Sequence, residues 1–281
     1  MNRLIKTKRR LIELLNEQKQ AIIHRAVTRG LDPSALLKPS GIEWLGDVPA
    51  HWSVKPLKRW ASMNAQTLTD KTPGDFEFRY LDIGTVGTGR LVREPERMLF
   101  EGAPSRAKRI VRSGDTIIST VRTYLKAMYF IESVEEPVIA STGFAVLSPT
   151  RAIIPRYLSY LIQSADFINR VTANSIGIAY PAISESRMGC FHLAAPEPSE
   201  QLEILAHLDL ATEPFDNALS KAQAEIDFIR EYRTRLVADV VTGQLDVRHL
   251  ALPEVEESLI EAIDAGESDD PDEELEAQEV E

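Results

Sequence analysis

The chain has 281 residues, 43% of them hydrophobic, so it can bury a substantial core. It has one cysteine and therefore no disulfide framework, which suits the cytoplasm, and no apolar run approaches the roughly 18 residues of a membrane span. The net charge of −11 is misleading, because residues 251–281 hold 14 acidic and no basic residues, whereas residues 1–250 hold 32 basic and 29 acidic residues.

The first predicted element is a long helix, and its sequence recurs near the other end of the chain. Residues 12–32 align without gaps on residues 226–246, at a fixed offset of 214. Both copies carry apolar residues at heptad spacing, which predicts a seam that is buried against another helix. Each copy also places a base in that seam, Lys19 or Arg233, and a base there fixes register and orientation at some cost in stability.

The same pattern indicates where the helices end and what they do. A glycine can cap a helix C-terminus, so we expect the copies to end near Gly30 and Gly243. A helix of about 25 residues spans roughly 40 Å, close to the roughly 34–36 Å of one DNA turn, so the pair resembles a spacer. The seam can be buried within one chain, by a second copy or by a different partner. Its residues are Ile5, Ile12, Leu15, Lys19, Ile22, Ile226, Ile229, Arg233 and Leu236.

Between the helices lies an α+β insert, without the alternation that produces a doubly wound sheet. A loop follows Asp32-Pro33, and short β-branched and aromatic runs then predict strands. A helix is predicted over about 155–171, a loop over 175–184, and a return helix from Glu200-Gln201. The predicted strands are 76–84, 114–120, 127–131, 144–149 and 190–196.

Six stretches in this order resemble the specificity subunits of type I restriction-modification systems. They are GIEWLGDVPAHW, RAKRIVRSGDTIISTVRTYLKAM, IASTGFAVLSP, GIAYPAIS, PEPSEQLEIL and RLVADVVTGQLDV. The resemblance covers about residues 3–248. It implies an α+β fold in which one mixed α/β target recognition domain is flanked by two long helices that form a coiled-coil spacer.

The implied organisation differs from that of a typical member, which carries two target recognition domains separated by two conserved helical regions. This chain has one insert and looks like half a specificity subunit. Two copies could rebuild the frame with twofold symmetry, and their bipartite target should then be palindromic. The alternatives are a truncated or silent product, or a fragment that needs a separate second half.

The predicted domains follow from the repeat and the resemblance. They are an N-terminal spacer helix (1–32), a target recognition domain (41–200), a C-terminal spacer helix (201–250) and an acidic tail (251–281). The tail is predicted to be disordered, because it is acidic and lacks aromatic residues. It is either a solubilising tail or a competitor of nucleic acid for a basic surface.

A basic stretch within the insert is the candidate DNA surface. Nine basic residues lie between Arg90 and Lys126, interrupted by four acidic ones. Phosphate contacts give salt-dependent affinity, and arginine is the natural bidentate reader of guanine. For each candidate the alternative is a solvated charge or a structural residue, and for the tyrosines a place in the core. The candidates are Arg106, Lys108, Arg109, Arg112, Arg122, Thr123, Tyr124, Lys126, Ser141, Thr142, Ser175 and Tyr180.

No motif indicates an enzyme that acts alone. The chain lacks the Asn-Pro-Pro-aromatic stretch of an adenine methyltransferase and the P-loop of a motor. The glycine-rich stretch GTVGTG at 84–89 favours a hairpin. The histidines and Cys190 lack metal-ligand spacing. The resemblance implies double-stranded DNA, a methyltransferase subunit and a restriction subunit as partners, with S-adenosylmethionine and ATP bound by those subunits. The other interpretations are a stand-alone DNA-binding protein and a helical scaffold whose insert binds another protein.

Overall fold

The structure is a computed structural model that describes residues 1–247, so the predicted acidic tail lies outside the described residues. The described chain divides into two compact units: Met1–Ile5 with residues 224–247, and Lys6–Gln223. The larger unit contains the β-rich insert. Within the described residues no helix is both long and apolar enough to cross a membrane.

Two long helices flank the insert, α1 (Asn2–Arg29) and α6 (Pro198–Val241). Gly30 and Gly243 follow them with φ of +76° and +74°, a left-handed conformation that glycine adopts easily, so both predicted helix ends are confirmed.

Within the larger unit the two helices run antiparallel. The Lys19 ammonium pairs with the Asp216 carboxylate, and the Glu200 carboxylate lies beside Gly30. Residue numbers therefore rise along α1 where they fall along α6. In this unit the two helices therefore lie side by side within one chain, and the seam residues Ile12, Leu15 and Ile22 are half-buried.

The insert is built from short strands and short helices. The short helices are α2 (Leu57–Trp60), α3 (Pro155–Ile162), α4 (Ala165–Ala173) and α5 (Glu185–Met188). The strands are β1 (Leu37–Pro39), β2 (Asp47–Pro49), β3 (Ser53–Pro56), β4 (Ala61–Met63), β5 (Glu77–Leu81), β6 (Glu96–Leu99), β7 (Ala107–Val111), β8 (Thr116–Ser119), β9 (Met128–Phe130), β10 (Val138–Ser141), β11 (Phe144–Pro149) and β12 (His192–Ala195).

The strands form two four-stranded sheets, in the orders β6-β5-β10-β7 and β4-β11-β8-β9. Strand β10 is parallel to β5 and antiparallel to β7, and the other pairs in these sheets are antiparallel. Two smaller pairs, β1-β2 and β3-β12, complete the insert. The pattern is a mixed α/β domain between two long helices, which confirms the predicted fold class.

The core lies in layers that follow the alternation of side chains along a strand. Ile117 of β8 packs with Phe144 between the two sheets, whereas the adjacent Ile118 faces a second core against the helices. That second core includes Val27 of α1 and Tyr157 of α3. The end of α1 is therefore part of the hydrophobic core of the insert.

Three features differ from the sequence predictions. The helix predicted over 155–171 is two helices, because Ser164 accepts a hydrogen bond from the Phe167 N–H and caps a new helix, α4. The segment after Asp32-Pro33 contains β1 and β2 rather than loop alone, and β3, β4, β6, β7 and β10 lie outside the individually predicted strands. The hairpin expected at 84–89 is confirmed, since the Gly87 N–H donates to the Arg90 carbonyl at 2.9 Å.

Candidate nucleic-acid interface

The loop that leaves β8 has an unusual backbone. Arg122 and Lys126 adopt left-handed φ angles of 50° and 52° on either side of a 3₁₀ turn at Thr123–Leu125. This conformation is costly for residues other than glycine, so it persists where the surroundings determine it. Thr123 is buried, whereas Tyr124 is 52% exposed. The loop therefore presents its tyrosine and its two cations on a fixed backbone.

A hairpin packs beside this loop. Ile176 and Ala182 exchange two backbone hydrogen bonds of 2.8 and 2.9 Å, and Ala182 also pairs with Val121. The Thr123 hydroxyl donates to the Ser175 Oγ at 2.8 Å. The hairpin, residues 175–182, is thus attached to the β8 exit loop at its base.

Arg122 also contacts the tip of this hairpin. Its guanidinium lies 4.9 Å from the centre of the Tyr180 ring, within the range of a cation–π contact. Tyr180 is 65% exposed, so it is not a core aromatic residue.

A third segment, the turn at 141–143, completes the surface. The Gly143 carbonyl accepts from the Thr120 N–H at 2.8 Å, and the Thr142 N–H donates to the Arg106 carbonyl at 2.8 Å. Ser141 is buried and accepts from the Gly143 N–H, which gives it a structural role. We call the segments 120–126, 141–143 and 175–182, together with Arg106, the loop surface.

Three predicted basic residues lie outside the loop surface and are already engaged. Lys108 pairs with Asp70 at 3.3 Å, and Arg109, with its side chain 19% exposed, pairs with Glu185 at 2.6 Å. Arg112 donates to the amide oxygen of Gln66. The structure therefore places nine of the twelve candidates in the segments of the loop surface, where Thr123 and Ser141 are buried, and three beside it.

The electrostatics of the loop surface differ from those of its neighbourhood. Among residues 1–247, no ion pair joins Arg106, Arg122 or Lys126 to a carboxylate; Arg106 instead donates to the Tyr80 hydroxyl at 3.2 Å. Elsewhere, the Arg79 guanidinium donates to Glu136 and lowers the pKa of that carboxyl below its ordinary value. Positive charge is thus available on the loop surface and neutralised nearby.

Sequence reasoning missed the apolar part of this surface. Ile176 is 73% exposed and Ile178 is fully exposed, although both are large aliphatic residues. The available signal was the absence of any charged residue from Ser175 to Ile183 in a segment predicted to be a loop. In the described part of the chain, no cluster of three or more His, Cys, Asp or Glu residues could hold a metal ion.

The spacer residues fall into two groups. Ile5 and Ile226 are buried, and the other apolar members and Lys19 are half-buried, namely Ile12, Leu15, Ile22, Ile229 and Leu236. Arg233 is exposed and donates to the Asn2 side-chain oxygen at 3.3 Å. The repeat offset of 214 carries Lys19 onto Arg233 and Asn2 onto Asp216, so the two polar contacts are equivalent within the repeat.

The two helix copies differ in what covers their apolar face. Ile23 and Val27 are 2% and 0% exposed, and the Tyr157 hydroxyl donates to the Val27 carbonyl at 3.3 Å. At the equivalent positions of the second copy, Val237 is 57% and Val241 is 79% exposed. The first helix copy is thus covered by the insert at these positions, whereas the second copy is bare there within the described residues.

Comparison with known proteins supports the resemblance found in the sequence. No protein-family model matches the chain. The type I restriction enzyme MjaVIII specificity subunit of Methanocaldococcus jannaschii is 23% identical over 262 residues, which cover 88% of this chain and 58% of that protein.

Solved structures share the fold. A chain from a study of the assembly and conformational transition of the type I restriction-modification system has a TM-score of 0.56 and 26% identity. The HsdS subunit of Thermoanaerobacter tengcongensis has a TM-score of 0.53 and 25% identity. Each match covers 73% of this chain and 52% of the other, so the chain spans about half the length of the relatives that it matches.

Fold and sequence similarity agree. The β-rich domain between two long helices is the fold of specificity subunits, and the sequence similarity extends over most of the chain. The resemblance to the specificity subunits of type I restriction-modification systems is therefore confirmed.

Proposed function

We propose that the chain recognises a DNA sequence as the specificity subunit of a type I restriction-modification system. The observation that carries the proposal is the loop surface, where Arg106, Arg122 and Lys126 lie among exposed tyrosines without carboxylate partners in the described chain. Such a surface can bind phosphates through its cations and read base edges through side chains that alternate with them.

We further propose that the DNA target is bipartite and that a second recognition domain joins the assembly. The support is the bare face at Val237 and Val241, whose counterparts Ile23 and Val27 are covered by the insert. The repeat-equivalent residues show how such a face is covered, and exposed aliphatic residues that lie together on a helix can mark an interface. A second domain of the same fold would cover them in the same manner.

The source of that second domain determines the symmetry of the target. Two copies of this chain would present identical loop surfaces, and the target would be palindromic. Because Val27 already fills the site on this insert, a second copy could cover Val241 only if it released its own α1. A different half-subunit without such a helix would need no release, and its target would be asymmetric.

The chemistry of the assembly is assigned to partner subunits. An adenine methyltransferase that uses S-adenosylmethionine would dock on the spacer helices, and a restriction subunit that uses ATP could join the same complex. The chain itself would recognise the DNA sequence and set the spacing between half-sites. Exposed aliphatic and aromatic residues on α6, such as Phe228 and Tyr232, support a docking role because they lie on one helical face.

Purification of the tagged chain from its native cells, followed by mass measurement of the intact complex, tests this function. We expect a stoichiometric partner with an adenine-methyltransferase motif, and sequence-selective DNA binding that depends on that partner. The same mass distinguishes two copies of this chain from one copy with a different half-subunit. A chain that purifies alone and binds DNA selectively would instead be a stand-alone DNA-binding protein, and one that binds no DNA would be a scaffold or a silent remnant.

A further inference from the structure

The tip of the 175–182 hairpin combines exposure with apolar character. Ile178 is fully exposed, Ile176 is 73% exposed and Tyr180 is 65% exposed. The segment from Ser175 to Ile183 contains no charged residue. A cluster of exposed apolar residues of this kind marks a contact site.

The tip is held on a stem that restricts its movement. The stem is closed by the two backbone hydrogen bonds between Ile176 and Ala182, and the Ile183 N–H donates to the Thr120 carbonyl at 2.8 Å. The turn is tight at Gly177, where φ is +122° and a Cβ atom would lie 2.8 Å from the Tyr180 carbonyl oxygen. The isoleucine at the apex is thus presented at a fixed position rather than on a loose loop.

The surroundings of the tip indicate what it contacts. Arg122 lies against the Tyr180 ring, and Lys126 and Arg106 belong to the same loop surface. Cations that flank an apolar projection match a DNA duplex, in which phosphates flank a stack of apolar base faces. An apolar protein surface would match the tip but not the cations around it.

We propose that Ile178 enters between two adjacent base pairs of bound DNA and partly unstacks them, while Arg122 and Lys126 hold the flanking phosphates. This inference rests on the proposed DNA-recognition function and adds to it a deformation of the duplex. Side chains such as isoleucine and leucine act in this way when they kink DNA. The energy needed for unstacking depends on the base step. The inserted Ile178, which we call the wedge, would therefore favour DNA sequences with an easily deformed step at the site of insertion.

The test compares duplexes that differ in the cost of unstacking. The probes are 30-base-pair duplexes of random sequence, fully paired or with one central mismatch, and the protein is the full chain with any methyltransferase that co-purifies. Because a mismatch removes part of the unstacking cost, we expect the wild type to bind the mismatched pool about tenfold more tightly. Ile178→Ser should bind both pools equally, with an unchanged dependence on salt concentration.

Two controls keep the result interpretable. Leu36→Ser changes an aliphatic residue that is 82% exposed and directly precedes β1, outside the loop surface, so it should keep the wild-type preference. Relaxation of a closed plasmid by topoisomerase in the presence of protein gives a second readout, because a wedge unwinds the duplex. The wild type and Leu36→Ser should leave the plasmid underwound, and Ile178→Ser should not.

The possible outcomes separate this inference from the proposed function. If Ile178→Ser keeps both the mismatch preference and the unwinding, the wedge is refuted while DNA recognition stands. If Ile178→Ser binds DNA normally but loses the co-purifying methyltransferase, the tip is a protein contact and the wedge is refuted. If the wild type binds no duplex at any salt concentration, the proposed function fails as well.

Discussion

The repeat provides a matched pair of substitutions, because the offset of 214 places a valine at both positions. Val27 is 0% exposed and lies in the core of the insert, whereas Val241 is 79% exposed. Val27→Ala removes two buried carbons, worth about 1.6 kcal/mol in transfer free energy at about 0.8 kcal/mol each. The remaining cavity raises the expected loss in the free energy of unfolding to about 2–3 kcal/mol. Val241→Ala should change it by less than about 0.5 kcal/mol.

Urea unfolding followed by tryptophan fluorescence measures this difference. All three tryptophans, Trp44, Trp52 and Trp60, lie in the insert, and the latter two are buried. The purified single chain is the correct sample, because an assembled partner would cover Val241. The reasoning is refuted if both substitutions lower the free energy of unfolding equally, since Val241 would then be covered within one chain.

The same pair also tests the proposed second recognition domain. Val241→Ala should weaken association with the partner that carries that domain, while leaving the single chain stable. Val27→Ala should lower the stability of the insert and leave the face at Val241 intact. A Val241→Ala complex with unchanged dissociation on dilution would show that the partner docks elsewhere.

Two further predictions concern charge. Lys19→Glu places a second negative charge beside Asp216 and should lower the free energy of unfolding by about 0.5–1 kcal/mol, a value limited by solvent exposure. It should disturb assembly more than folding, so the mass of the assembly should fall. Lys19→Glu combined with Asp216→Lys should restore both properties, and an unchanged mass in the single variant would contradict this role. Burial raises the pKa of Asp115, so the folded state holds a proton there more readily than the unfolded state, and the ionised carboxylate weakens stability near neutral pH. Asp115→Asn should therefore gain stability relative to the wild type at neutral pH, and this gain should shrink as the pH falls through the raised pKa, as measured by urea unfolding at several pH values.

Local sequence predicted the elements whose signals are local. The strand at 144–149 has the bounds of β11, because its β-branched and aromatic run ends at Pro149. Both long helices end next to the predicted glycines. The break at Ser164 was also a local signal, since serine favours an N-cap, but the apolar periodicity that continued through it indicated one helix.

The elements that the sequence did not predict depend on strand pairs and ion pairs between residues far apart in the chain. Strand β10 has four residues and acquires its role from β5 and β7, which lie far apart in sequence. The sequence of β7 indicates a basic patch and not a strand, because Lys108 and Arg109 dominate it. Their partners, Asp70 and Glu185, are 38 and 76 residues away, so no local pattern could show that these charges are neutralised.

This neutralisation changes the expected salt dependence of DNA binding. A cation that already pairs with a carboxylate, as Arg109 does with Glu185, exchanges one anion for another when it binds a phosphate. It therefore adds little to the affinity for DNA. Arg106, Arg122 and Lys126 can contribute fully, so phosphate contacts by the loop surface alone should give the plot of log affinity against log salt concentration a slope of about −3 for one chain on a duplex of random sequence. A slope near −8 would mean that all nine basic residues of the stretch bind phosphates and that the ion pairs open on binding. Arg122→Ala should reduce the slope by about 1, whereas Arg109→Ala should leave it unchanged.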